Sequence, residues 1–150
     1  NIGRFVFGTD GSGVENLIVR NVSIRNSYKC PVDRSPQLYM NGPEIFNFTI
    51  ETIPKLVREV CNKNVVAIKE ISYVILHQAN KYILEFLIKT IGLPKEKCHI
   101  DLMNYGNTVS STIPIALKDS WDRSLINQGD RVLLAGFGVG YSWGGLILNM

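Results

Sequence analysis

Hydrophobic positions along this chain change period several times, and each change marks an element. From Pro43, a residue suited to the first position of a helix, Phe46, Ile50, Ile53, Val57 and Val60 recur at alternating spacings of four and three. That is one apolar helical stripe, and Pro54 inside it predicts a kink or a split. The run "ISYVIL" (71–76) is short, rich in β-branched and aromatic residues, and continuous rather than alternating. It reads as a strand buried on both faces, as in a parallel sheet. A helical period returns from Ala79 to Ile91, with Ile83, Leu84, Leu87, Ile88 and Ile91 on one face and Gly92 then Pro94 as the stop. A short extended piece is expected over 98–102. A third helix follows "NYGNTVSS", with Pro114 in its first turn, a stripe of Ile113, Leu117, Trp121 and Leu125, and "NQGD" closing it. Arg131 to Phe137 and Trp143 to Leu148 read as strands about the turn "GVGYS". Near the start, the apolar runs 2–7 and 14–19 flank "GTDGSG" and suggest a hairpin; polar residues 21–41, with Pro31 and Pro36, read as a loop.

This order predicts an α/β fold: a mixed sheet with helices packed on its faces and a C-terminal antiparallel strand pair. At 150 residues the chain is long enough for one domain with a proper core, spanning 1–150. A hydrophobic fraction of 45% against 19% charged residues excludes a disordered chain. The net charge of +3 is small and scattered, which argues against nucleic acid as a partner. Apolar runs stop well short of the roughly 20 residues needed to cross a bilayer, so no membrane association is expected. The beginning, "NIGRFVFGTDGSG", has neither an initiator Met nor a signal-peptide layout and reads as cut from something longer. Cys30, Cys61 and Cys98 are odd in number, far apart and without a CxxC, which points to a reducing, cytoplasmic setting and structural thiols. His77 and His99 have no companions at zinc-ligand spacing.

Candidate chemistry lies where strands end. In open α/β sheets ligands gather beyond the carboxyl ends of strands. His77 ends the run 71–76, Asn107 sits in a Gly-containing turn before a helix, and "GFGVG" (136–140) ends the strand 131–137. Each has a plainer alternative: a satisfied structural histidine, an Asn holding a turn or capping a helix, and glycines that only punctuate a hairpin. "GTDGSG" has the look of a phosphate cradle, but it lacks the Lys of a P-loop and the helix of a dinucleotide fingerprint.

Three segments, "LHQANKYI", "YGNTVSSTIPIAL" and "GDRVLLAGFGVGYSWGG", resemble in order and spacing the carboxyl-terminal half of β-ketoacyl-acyl carrier protein synthase III, a thiolase-like condensing enzyme. "MNGPEIFNFTI" is similar to the start of a helix in the same half, and "FGTDGSG" to a family loop. The resemblance implies a thiolase-like half-fold and a Cys–His–Asn triad, of which His77 and Asn107, 30 positions apart, match two members. It implies decarboxylative condensation of an acyl-CoA with malonyl-acyl carrier protein, without a cofactor, by an enzyme that is a homodimer. It further implies that Asn80 contacts the pantetheine or coenzyme A arm, that Phe137 lies beside the nucleophile, and that the Val139 N–H is an oxyanion donor.

The chain departs from the pattern in three places. Val139 stands where the family more often has Gly, and Lys81–Tyr82 where it often has an Arg. None of the three cysteines lies in a nucleophile turn, so the reactive Cys is expected from an amino-terminal half, and the chain by itself is expected to be inactive. The other reading is a thiolase-fold interaction or dimerisation domain without catalysis.

Overall fold

The computed structural model describes residues 1–19 and 38–150. Its elements are β1 (Val6–Thr9), β2 (Leu17–Val19), β3 (Leu38–Met40), α1 (Gly42–Asn64), β4 (Tyr73–Leu76), α2 (Lys81–Ile91), α3 (Leu102–Tyr105), α4 (Thr112–Asp122), β5 (Arg131–Gly138) and β6 (Ser142–Asn149). The main sheet has the order β1-β6-β5-β4. β4 and β5 are parallel, with Tyr73 opposite Val132 and Leu76 opposite Ala135, while β6 is antiparallel to both β5 and β1. The sheet is therefore mixed, with the C-terminal hairpin in place.

Alternation along β4 and β5 sorts the core into two layers. Val74, Leu76, Leu133 and Ala135 face α1 and α2, joining Ile53, Leu56, Val57, Val60, Leu84 and Leu87. Tyr73, Ile75 and Val132 face the other way, against Ala116 of α4 and Ile126. Every residue of β4 is buried, as its unbroken apolar run requires.

The helices follow the sequence with informative differences. α1 runs unbroken through the buried Pro54. A proline in a helix interior costs about 3 kcal/mol, and the buried side chains around it, each contributing about 1.5–3 kcal/mol, offset that. α2 begins two residues later than its period suggests, because Asn80 is its N-cap: Oδ1 accepts the Ile83 N–H at 2.8 Å. It ends at Gly92 in the left-handed conformation, φ 77°. In α4 the buried face is Thr112, Ala116 and Ser120, one position off the expected stripe. Ile113 and Leu117 flank this face, whereas Trp121 and Leu125 are exposed. Small residues face the sheet here because α4 approaches closely; a Cβ on Gly136 of β5 would come within 3.3 Å of Ile113 Cδ1.

Two expectations are corrected near the start. The runs 2–7 and 14–19 do not pair with each other: β1 joins the edge of the main sheet beside β6, and β2 pairs with β3. The hexapeptide between them is not a hairpin turn. Asp10 accepts the Ser12 N–H at 2.9 Å and caps a 3₁₀ segment, Gly11–Asn16. Asp10 and Tyr141 also exchange backbone hydrogen bonds, and a Cβ on Gly13 would collide with the Tyr141 ring. "GTDGSG" thus supports the β5–β6 turn. Residues 38–40 of the expected loop form a strand; residues 21–37, with Cys30, lie outside the described residues. The extended piece at 98–102 shrinks to one bridge of Cys98 to Val74 plus a His99 N–H bond to Val74 O at 3.0 Å, since α3 begins at Leu102.

His99 is buried between β4 and α4, with Nδ1 2.9 Å from Ser120 Oγ and Nε2 3.9 Å from Asp119. Burial lowers its pKa more than Asp119 and Asp101 raise it. A depressed histidine pKa means that the unfolded chain binds the proton first. Its contribution to stability is complete above the unfolded value near 6.5 and is lost as pH falls through the depressed folded value. Melting temperature should decline on acidification below about pH 6.5, with a shallower decline in His99→Gln. In the core, Leu84→Ala should cost about 2–5 kcal/mol by denaturant titration. Trp121→Ala, on the exposed side of α4, should cost about 1 kcal/mol or less.

Candidate active site

His77 follows the last residue of β4, and its backbone N–H continues the parallel ladder to Ala135 O at 2.9 Å. That bond sets the imidazole beside the end of β5, where the Phe137 ring meets it edge-on with centroids 5.2 Å apart. The next residue, Gln78, is 3% exposed. Its Nε2 donates to Leu76 O at 2.8 Å and His99 O at 3.2 Å, and its Oε1 accepts the Asp101 N–H at 3.3 Å. A buried amide with both ends satisfied is a fixed strut. It ties the strand end to the segment that leads through α3 into the Asn107 turn.

That turn is built from its own polar side chains. Asn107 Oδ1 accepts the Val109 N–H at 2.9 Å, closing an Asx turn. Thr112 Oγ1 lies 3.0 Å from Val109 O and 2.6 Å from His77 Nδ1. The Thr112 backbone N–H also donates to Val109 O, so a hydrogen-bonded path joins Asn107, Val109, Thr112 and His77 whichever acceptor the hydroxyl takes. With Oδ1 taken by the backbone, Asn107 presents its Nδ2 amide, a donor. The turn holds an unfavourable conformation: Val109, β-branched, has φ 57°, and Thr108 Oγ1 is buried without a hydrogen-bond partner among the described residues. Left-handed backbone at such a residue costs on the order of 1–3 kcal/mol.

His77 is half-buried, and burial, with no charged neighbour contributing, pushes its pKa below the ordinary histidine value. Near neutral pH its ring is uncharged. The two described cysteines are poor nucleophiles: burial raises the Cys61 pKa and, with Glu96 nearby, pushes Cys98 up to about 12. Neither thiol has a hydrogen bond to His77; Cys98 Sγ lies 3.5 Å from Pro94 O.

The remaining candidates sit around this centre. Val139, exposed in the β5–β6 turn two residues past Phe137, has its carbonyl held by Ser142 Oγ at 2.8 Å. Its φ is not among the positive values, so a side chain at this position brings no left-handed strain. Behind the turn, Tyr141 is buried, stacked on Phe48 at 4.1 Å and bonded through its hydroxyl to Asn16 Nδ2 at 2.7 Å. Asn80 is exposed three residues after His77, with Oδ1 committed to its cap. Tyr82, 69% exposed, stacks on Phe46. Sequence reasoning missed Thr112 and Gln78. Gln78 lay in plain view inside "HQAN", and Thr112 is a hydroxyl at a helix start; no period or spacing distinguishes either from a neutral neighbour.

No helix among the described residues is long and apolar enough to cross a membrane, and none of their His, Cys, Asp and Glu side chains cluster as a metal site.

Known proteins share this sequence pattern and fold. The family model for the carboxyl-terminal part of 3-oxoacyl-[acyl-carrier-protein] synthase III matches residues 61–150. The β-ketoacyl-[acyl-carrier-protein] synthase III of Streptococcus uberis is 38% identical over 144 residues, and that of Clostridium perfringens strain 13 is 34% identical over 143. Each alignment covers 95% of this chain but 44% of the relative, so the chain spans less than half the length of these proteins. A crystal structure of a 3-oxoacyl-(acyl-carrier-protein) synthase III superposes with a TM-score of 0.93 at 36% identity, over 99% of this chain and 48% of that one. The half-fold, the mixed sheet and the matched segment agree, and this chain belongs to the 3-oxoacyl-[acyl-carrier-protein] synthase III family, to whose carboxyl-terminal part it corresponds.

Proposed function

We propose that this chain supplies the condensing half of a β-ketoacyl-acyl carrier protein synthase III-like acyltransferase. The observation that carries the reading is the path from His77 through Thr112 and Val109 to Asn107, beside Phe137 at the end of the sheet. It fixes a neutral imidazole and an amide donor at neighbouring points of one loop–strand junction. Fixed donors aimed at developing negative charge are the strongest single means of lowering such a barrier.

In the proposed reaction a cysteine of an amino-terminal half accepts the acyl group from acyl-CoA and releases coenzyme A. Malonyl-acyl carrier protein then enters and loses carbon dioxide. The electron pair of the broken C–C bond passes into an enolate, whose thioester oxygen takes hydrogen bonds from His77 and Asn107. The enolate carbon attacks the acyl-cysteine carbonyl, the Val139 N–H helps hold that oxygen, and the cysteine thiolate leaves as the β-ketoacyl thioester forms. Phe137 packs beside the nucleophile, and the Asn80 amide contacts the pantetheine or coenzyme A arm. High thiol pKa values at Cys61 and Cys98 support a nucleophile located elsewhere. We place the complete enzyme in the cytoplasm as a homodimer, with acyl carrier protein as its partner and no dissociable cofactor. Exposed Phe7, Met103, Val109 and Leu38 fit a fold that a second half covers.

In the complete enzyme His77→Ala and Asn107→Ala should each slow condensation by roughly 10²–10³. Acyl transfer to the cysteine should suffer much less, since its oxygen is held by backbone donors. The two half-reactions, followed separately with labelled acyl-CoA and with malonyl-acyl carrier protein, decide the matter. Condensation surviving while acyl transfer collapses would reverse the roles. Condensation untouched in both variants would favour a domain used for interaction or dimerisation.

A further inference from the structure

Thr112 is 2% exposed, and its single hydroxyl proton has two possible acceptors, Val109 O at 3.0 Å and His77 Nδ1 at 2.6 Å. The choice decides which way the imidazole faces. If the proton goes to Val109, the hydroxyl must accept from Nδ1–H, and neutral His77 is left with a bare lone pair on Nε2. If it goes to His77, Nδ1 is the acceptor and Nε2 carries the proton.

Two features favour the second arrangement. Hydroxyl donors make shorter bonds than N–H donors do, O–H···O at about 2.5–3.0 Å against N–H···O at about 2.7–3.2 Å. The 2.6 Å contact therefore fits an O–H donor and is short for an N–H donor; the 3.0 Å contact to Val109 O is long for a hydroxyl. Val109 O also accepts the Thr112 backbone N–H, so it keeps a donor when the hydroxyl turns away, while His77 Nδ1 has only the Thr112 hydroxyl among the described residues. The ring has no rival partner at Nδ1 among the described residues.

We infer that Thr112 is a positioning residue: its hydroxyl donates to His77 Nδ1 and holds the imidazole as the tautomer that carries its proton on Nε2. This deepens the proposed function and rests on it, since an enolate needs a donor and a bare Nε2 would repel it.

The test uses the complete enzyme labelled with ¹⁵N-histidine, with His77 assigned from the His77→Ala spectrum. Thr112→Val keeps the shape and removes the hydroxyl; Thr112→Ser keeps the hydroxyl. Above the His77 titration, the wild-type ring should show a protonated Nε2 and an unprotonated Nδ1. Thr112→Val should raise the His77 pKa, because the neutral ring loses a donor to Nδ1. It should slow condensation about 10-fold, the change that goes with one net hydrogen bond, and leave acyl transfer near wild type. Thr112→Ser should restore both the pKa and the rate. A protonated Nδ1 in wild type, or a His77 pKa that falls in Thr112→Val, would overturn the assignment, since the hydroxyl would then be an acceptor. A pKa that responds as expected while condensation proves independent of His77 would support the tautomer and overturn the function on which its purpose rests.

Discussion

The parallel pairing of β4 with β5 is the constraint from which the rest follows. β4 is four residues long and buried on both faces, so its register cannot slip without driving apolar side chains of one layer into the other. The ladder runs one residue past the strand, to the His77 N–H on Ala135 O, and this is what delivers a polar ring to the edge of an apolar core. α1 and α2 cover one face of the pair and α4 the other. α4 can come close because Thr112, Ala116 and Ser120 are small and because β5 has Gly136 beneath Ile113. The same close approach brings Thr112 to His77.

Around this pair, the polar residues divide into supports and presenters. Gln78 and the Asp10–Ser12 cap hold backbone segments in place. Asn107 closes its own turn with one end of its amide and, under the proposed function, presents the other as a donor. The turn it closes is unfavourable at Val109 and at Thr108 Oγ1, and the packing of α4 and the Thr112 contact keep it there. Residues held in sparsely populated backbone regions cluster at functional sites, and this one fits the proposed role.

Much of the fold was legible because burial wrote it into the period of the sequence. The stripe from Phe46 to Val60 and the Gly92 stop stand in the structure as read, and the run 71–76 does so from Tyr73, where the strand begins. The α4 stripe was misread by one position because small buried residues carry no hydropathy signal; Ser120 and Thr112 lie where Leu117 and Trp121 were expected to dominate. The N-terminal hairpin failed for a different reason. Runs 2–7 and 14–19 both read as strands, but which strand each meets depends on β6 and β3, far away in sequence. At the candidate site, His77 and Asn107 stood out by resemblance, whereas Thr112 and Gln78 act through contacts that no spacing announces.

The two asparagines of the candidate site share one habit. Oδ1 of Asn80 and of Asn107 each accepts a backbone N–H of its own segment, and burial holds the His77 ring neutral at physiological pH. These three side chains bring polarity without formal charge. Under the proposed function they would sort guests by lone pairs rather than by ionic attraction, so added electrolyte, which screens charges over about 8–10 Å, would have little to screen at the centre itself. Any dependence on ionic strength would then have to arise at the surface, where a charged partner first approaches.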